Sequence, residues 1–275
     1  MLNIRELVFS NAVVVSRILI QVSTGIYVLY SVISGGLLNG VELMDSTYPG
    51  FEFLMAIQAI AGIMLVSGLF VRFGAFMLIG LFAFSLVENG LNGLDQIMLL
   101  GIGIAILAKG GLTYFPVKSI CPKIRISIPV KKTISDDMFL MSIRIAFGIN
   151  LIWLGFLEKI FVPDLFASVL EKYHMLPTGI DVKISVFGAG FVEIAIGIFY
   201  LLGLRQRLVS ATMLCVLVFT VISFQESILA HMIMFTIPAM FVIIGSDPFT
   251  IFERSKVSSI LKKVKNIVLL RMYAD

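Results

Sequence analysis

Six side chains in the second half of this chain set charge against an apolar background: Arg144, Glu158, Lys159, Glu193, Glu226 and His231. Glu193 is the sharpest case. It heads the run EIAIGIFYLLGLRQR, residues 193–207, which is almost wholly apolar until its terminal arginines. A charge in hydrocarbon costs roughly 2.5–3.5 kcal/mol on insertion scales, so this carboxylate needs a partner or a task. The chemistry open to it is proton binding, or a hydrogen bond that anchors a ligand. Ala189 and Gly197, four residues to either side, place it on a small-residue face that lets helices approach closely. It is therefore expected to point into a helix bundle. Arg144 lies at a similar depth in another apolar run, and a buried Arg144–Glu193 pair is expected. Two readings of that pair stay open: an ion pair that fixes helix register, and a polar site for a proton or ligand.

A second polar set belongs to one end of the same bundle. Glu158 and Lys159 close one apolar run, Gln225 and Glu226 close another, and His231 opens a third. These residues are expected to line an exterior vestibule above Glu193, although a histidine at that depth also serves as an interfacial residue bonded to its neighbours. No dedicated metal site is expected. His174 and His231 are the two histidines, no HxxxH or HExxH occurs, and nothing has the ExxH spacing of a di-iron bundle. Cys121 and Cys215 are isolated and form no CxxC, which argues against both a disulfide framework and a thiol relay. Phe147, Trp153, Phe156 and Phe161 crowd the outer part of one run; such aromatics serve as interface belt and core more often than as a quinone pocket. No GxGxxG, Walker motif or nucleophile elbow occurs. Catalytic residues stay unassigned, and whether the chain is an enzyme stays open.

The elements that must position these residues are membrane helices. The 275 residues are 59% hydrophobic and 14% charged, against about 25% charged in soluble domains, so an integral membrane protein is the class that fits. A span needs roughly 20 apolar residues. Apolar runs at about 11–33, 52–70, 73–88, 94–109, 138–157, 183–203, 207–224 and 229–245 give eight expected spans. The N-terminal run carries Arg17 and no small-residue cleavage site follows it, so it is expected to be a membrane helix and not a removed signal peptide.

A shift of 135 residues lays QAIAGIMLVSGLFVR, residues 58–72, on the run headed by Glu193. Gln58 then falls on Glu193, Gly62 on Gly197, Gly68 on Gly203, Leu69 on Leu204 and Arg72 on Arg207. This pattern implies an all-α fold of two tandem four-helix units in parallel orientation. Residues 1–110 form the first unit and 138–246 the second. Residues 111–137 form a basic linker, and 247–275 a basic amphipathic tail suited to an anionic leaflet. In the first unit, Arg17 with Gln58 is the expected counterpart of Arg144 with Glu193. All basic residues except Lys159, Lys172 and Lys183 fall on one side or in the adjoining half of a span, which puts both termini in the cytoplasm of a multi-pass protein of the cytoplasmic (inner or plasma) membrane. The net charge of +4 is then a topology signal, and no nucleic-acid partner is expected.

The second half resembles the DoxX-like membrane proteins. The resemblance rests on Arg144 and Gly148, then Gly155 to Lys159, then Glu193, Gly197, Gly203, Leu204 and Arg207. The first half resembles them only as a degenerate copy, with Gln58 in place of the acid. The resemblance implies a four-helix membrane bundle, here doubled. It also implies a loose redox association, since some relatives are subunits of thiosulfate:quinone oxidoreductase and others belong to membrane redox or thiol-stress complexes. A quinone as cofactor and a membrane redox subunit as partner, besides the lipid bilayer itself, enter as expectations on that ground. Three functions remain open: a quinone-linked or other small-molecule-binding subunit, a proton-coupled transporter or channel, and a structural anchor for a partner.

Overall fold

A computed structural model describes residues 4–36, 38, 50–110, 134–172 and 181–245. Residues 37, 39–49, 111–133, 173–180 and 246–275, His174 among them, lie outside these residues, and so do the linker and tail expectations placed on them. Among the described residues the chain is helical throughout, with no strand. The helices are α1 (Ile4–Ile33), α2 (Phe51–Ser67), α3 (Val71–Asn89), α4 (Ile97–Lys109), α5 (Asp136–Leu154), α6 (Pro163–Lys172), α7 (Val182–Leu202), α8 (Gln206–Phe224) and α9 (Met232–Ile244). A 3-10 segment, Gly90–Gln96, joins α3 to α4, and a π-helical segment, Gly155–Phe161, extends α5.

Length and composition qualify five stretches to cross a membrane: Ala12–Ile33, Val71–Lys109, Asp136–Phe161, Val182–Leu202 and Gln206–Phe224. Phe51–Ser67 and Met232–Ile244 are apolar but shorter, at 17 and 13 residues, below the roughly 20 of an upright span. The stretch Val71–Lys109 is not one rod. The chain reverses through Gly90 and the 3-10 segment, and α3 packs on α4.

Two tight turns organise the hairpins. α2 ends at Gly68 and α7 ends at Gly203, each in the left-handed region with φ of 74° and 68°. Glycine takes this conformation without a Cβ penalty and frees the last helical carbonyls for capping. Two residues later Phe70 and Arg205 are also left-handed, with φ of 51° and 42°, and open α3 and α8.

The halves do not stand apart as separate bundles. Along the first half, α1 packs on α2, α2 on α3 and α3 on α4; in the second, α5 packs on α7 and α8 on α9. The last helix of each half then packs on the first helix of the other, α4 against α5 and α9 against α1. One apolar core accordingly runs through both halves, from Val13, Ile20 and Leu99 to Phe147, Tyr200 and Phe241. The α4–α5 seam depends on small residues and one polar tie. Gly101 lies against Ala146 so closely that a Cβ there would collide with it, and the Met98 N–H donates to Asn150 Oδ1 at 3.4 Å. Where lipid replaces water, close approach and interhelical hydrogen bonds are what hold helices together.

Candidate functional site

The α5–α7 contact sets the geometry of the site. A Cβ on Gly197 would sit 2.7 Å from the Gly148 carbonyl oxygen, and one on Gly155 would sit 2.9 Å from that of Gly190. These two glycine pairs fix the antiparallel register. Arg144 is thereby set beside Leu201, eight residues beyond Glu193, or about 12 Å along the helix axis at 1.5 Å per residue.

The expected Arg144–Glu193 pair does not form. Arg144 donates from Nη1 to the carbonyl oxygens of Tyr200 and Leu201, at 2.6 Å each. It caps the C-terminus of α7, where unpaired carbonyls and the negative end of the helix dipole favour a cation. Tyr200 is itself fixed, with its hydroxyl 2.6 Å from Ser210 Oγ and its ring edge-on to Phe147.

The partner of Glu193 is Lys159. Its Nζ donates to Glu193 Oε2 at 2.6 Å, with the side chains 10% and 19% exposed. Lys159 reaches inward from the π-helical segment, and such single wide turns concentrate at functional sites. Glu158 Oε2 lies 3.7 Å from the same ammonium. Phe166 of α6 covers that ammonium from outside, with its ring centroid 4.8 Å from Nζ. The same ring packs edge-on against Phe224 at 5.9 Å. α6 is held down by Ala167 and Leu170 on Val186, and the exposed Lys183–Asp164 pair at 3.3 Å ties it to α7.

Glu226 and His231 form a second pair, Nε2 to Oε2 at 3.1 Å, and His231 Nδ1 lies 3.3 Å from the Ser227 carbonyl oxygen. Glu158 is within electrostatic reach of both Glu193 and Glu226. The fold thus gathers Glu158, Lys159, Glu193, Glu226 and His231 toward one end of the bundle and leaves Arg144 at the other. Among the described residues no group of three or more His, Cys, Asp or Glu is placed to hold a metal ion.

In the first half the counterpart position is neutral and closed. Gln58 is fully buried; its Oε1 accepts from the Leu38 N–H at 3.1 Å, and its Nε2 donates to Val28 O at 3.3 Å and Gly36 O at 3.4 Å. Arg17 does not meet it. The Arg17 guanidinium donates to the Gly110 carbonyl at 2.9 Å and lies 3.6 Å from Asp136. The reason is again register: Gln21, one turn deeper, takes the helix-facing position and donates to Leu65 O at 3.0 Å.

Sequence reasoning missed the role of Asp136. It sits in the first turn of α5, behind the N-cap Ser135, and pairs with both Lys109 at 3.0 Å and Arg17. Lys109 also donates to Ile134 O at 3.0 Å. The Ser-Asp-Asp start of the helix was visible as an N-terminal signature; that its acid would reach back to the first half was not.

Comparison with known proteins gives one family. The DoxX family model matches residues 139–226, a stretch that contains Arg144, Glu158, Lys159, Glu193 and Glu226 and stops short of His231. No curated protein and no solved structure is significantly similar to the chain. Apolar helices long enough to cross a bilayer, joined to this match, make the chain an integral, multi-pass membrane protein in contact with lipid. The matched stretch runs from α5 to the end of α8, and the family resemblance is confined to it.

Proposed function

We propose that the chain is a redox-associated membrane subunit whose DoxX domain binds a lipid-soluble small molecule of the quinone type at the Lys159–Glu193 pair. The observation that carries this reading is the pair itself: two oppositely charged groups, 2.6 Å apart, inside spanning segments and covered by the Phe166 ring. A lysine ammonium donates hydrogen bonds to a carbonyl headgroup, and a neighbouring carboxylate takes up or supplies a proton. Glu158, Glu226 and His231 then form the outer mouth through which protons exchange with water. An apolar ligand body suits the surrounding aromatic side chains. Trp153, the single tryptophan, has a buried indole N–H with no hydrogen-bond partner among the described residues.

The same reading takes the fold as a tandem duplication of eight spans in the cytoplasmic membrane, with both termini in the cytoplasm, and assigns residues 1–110 and 138–246 to its two units. Two parallels at a shift of 135 residues support it: Gly68 with Gly203 and Phe70 with Arg205 at the turns, and Arg72 against Gly110 as Arg207 is against Gly245. Gly62 also packs on Gly25 as Gly197 does on Gly148, although those two partners lie 123 residues apart. In this view only the second unit kept a charged site. A proton-coupled transporter is the second reading. It is favoured by the succession of acid and base groups from Glu193 through Lys159 and Glu158 toward Glu226 and His231.

The test is solvent extraction of the protein purified in mild detergent, with the extract resolved for quinone-type absorbance. A stoichiometric lipid-soluble compound that is depleted in Glu193→Gln supports the proposal; full retention in that variant removes Glu193 from the site.

A further inference from the structure

The second half differs from the first in one more respect, toward the end of α7 that Arg144 caps. Where α7 turns into α8, an open groove of about 370 Å³ runs between the two helices, lined by Ile196, Phe199, Leu208, Val209 and Thr212, with Arg205 at the turn. Its walls are hydrocarbon apart from one hydroxyl. Phe199 and Leu208 are exposed, and both helices belong to spanning segments, so the groove opens toward lipid. α7 and α8 touch only lightly, whereas α2 and α3 pack closely at the matching place.

The turn supplies a charge at the end of this apolar channel. Arg205 is exposed and left-handed, precedes the first residue of α8, and makes no side-chain capping bond to it. The start of α8 therefore offers uncapped N–H groups and the positive end of its dipole next to the guanidinium. The neighbouring arginine faces elsewhere, since Arg207 donates to Ile243 O at 3.5 Å and lies against Gly245. In the first half the matching turn carries Phe70, which is uncharged.

We propose that this groove binds an anionic phospholipid, with one acyl chain between α7 and α8 and the phosphate at Arg205 and the start of α8. The hydrocarbon lining selects a lipid over a water-soluble anion. Arg205 selects an anionic lipid over a neutral one, because a single arginine near a membrane surface contributes about a five-fold preference.

The test titrates the purified full chain in detergent with a phosphatidylglycerol and a phosphatidylcholine of identical acyl chains, and reads adducts by native mass spectrometry. The phosphatidylglycerol is expected to bind more tightly. Arg205→Gly, which suits the left-handed backbone at that position, is expected to weaken it about five-fold and to bring it to the level of the neutral lipid. Thr212→Trp fills the groove and lowers both lipids, while Lys183→Gln at the far end of α7 changes neither. Unaltered phosphatidylglycerol binding in Arg205→Gly overturns the proposal. So does glycerol phosphate competing as well as the intact lipid, which makes the turn a simple anion site.

Discussion

Lys159 and Glu193 meet at 2.6 Å from opposite helices, while Arg144, on the same helix face as Lys159, spends its guanidinium on the end of α7. One carboxylate thus faces a helix that carries two cations, and helix register decides which of them it meets. The glycine pairs 148–197 and 155–190 bring α5 and α7 together so that the arginine overshoots, and the π-helical segment turns Lys159 inward.

Removing the lysine should therefore cost more than removing the acid. Lys159→Met leaves a partly buried carboxylate unpaired, and about 3 kcal/mol of destabilisation is expected. Glu193→Gln keeps a hydrogen-bond acceptor for the ammonium and should cost about 1 kcal/mol. Denaturation in detergent of both single variants and of Lys159→Met/Glu193→Gln checks this. The double variant should be more stable than the sum of the singles by at least about 1 kcal/mol.

Gly197→Ala should destabilise by about 1–3 kcal/mol, because its new methyl meets the Gly148 carbonyl and the Ile152 backbone. Gly188→Ala, on the same helix with open space around it, should leave the melting temperature at or above its parent value. Equal effects of the two would mean that close α5–α7 packing does not set the register.

These two results separate what the sequence carried from what it hid. The apolar runs and the oddity of a carboxylate at 193 follow from residue type and period, and helices stand at each of those runs. The identity of the partner of Glu193 does not, because it depends on the register between α5 and α7, which carries Arg144 about 12 Å past Glu193. That register comes from how closely glycine backbones approach and from one π-helical turn, neither of which has a periodic signature. For the same reason Arg17 was matched to Gln58, whereas Gln21 holds the inward position and Arg17 goes to Gly110 and Asp136. The swapped packing of α4 on α5 and of α9 on α1 was hidden as well, since helix order alone does not say which bundle a terminal helix joins.

In the first half, Gln58→Leu removes the partner of the buried Leu38 N–H and Gly36 carbonyl. Leaving such groups unpaired costs about 1–3 kcal/mol, which thermal unfolding will read. Gln58→Glu is expected to be destabilised too and to gain no second ligand, because the chain's own backbone already fills the place beside that side chain.

Asp136→Asn should have a small effect, below about 1 kcal/mol, since its carboxylate is 46% exposed and its two cations keep other contacts. A loss several times larger would make this contact between the halves a main support of the fold.

The most direct test of the central claim is titration of the purified chain with a short-tailed quinone, followed by the fluorescence of Trp153, the single tryptophan, which precedes Lys159 by six residues on the same helix. Saturable quenching with one site per chain is expected. In Glu193→Gln the dissociation constant should rise about tenfold, the loss of one charge-assisted hydrogen bond, while Gln58→Leu should leave it unchanged. Quenching that does not saturate, or an affinity identical in Glu193→Gln, contradicts the assignment of the Lys159–Glu193 pair as the ligand site.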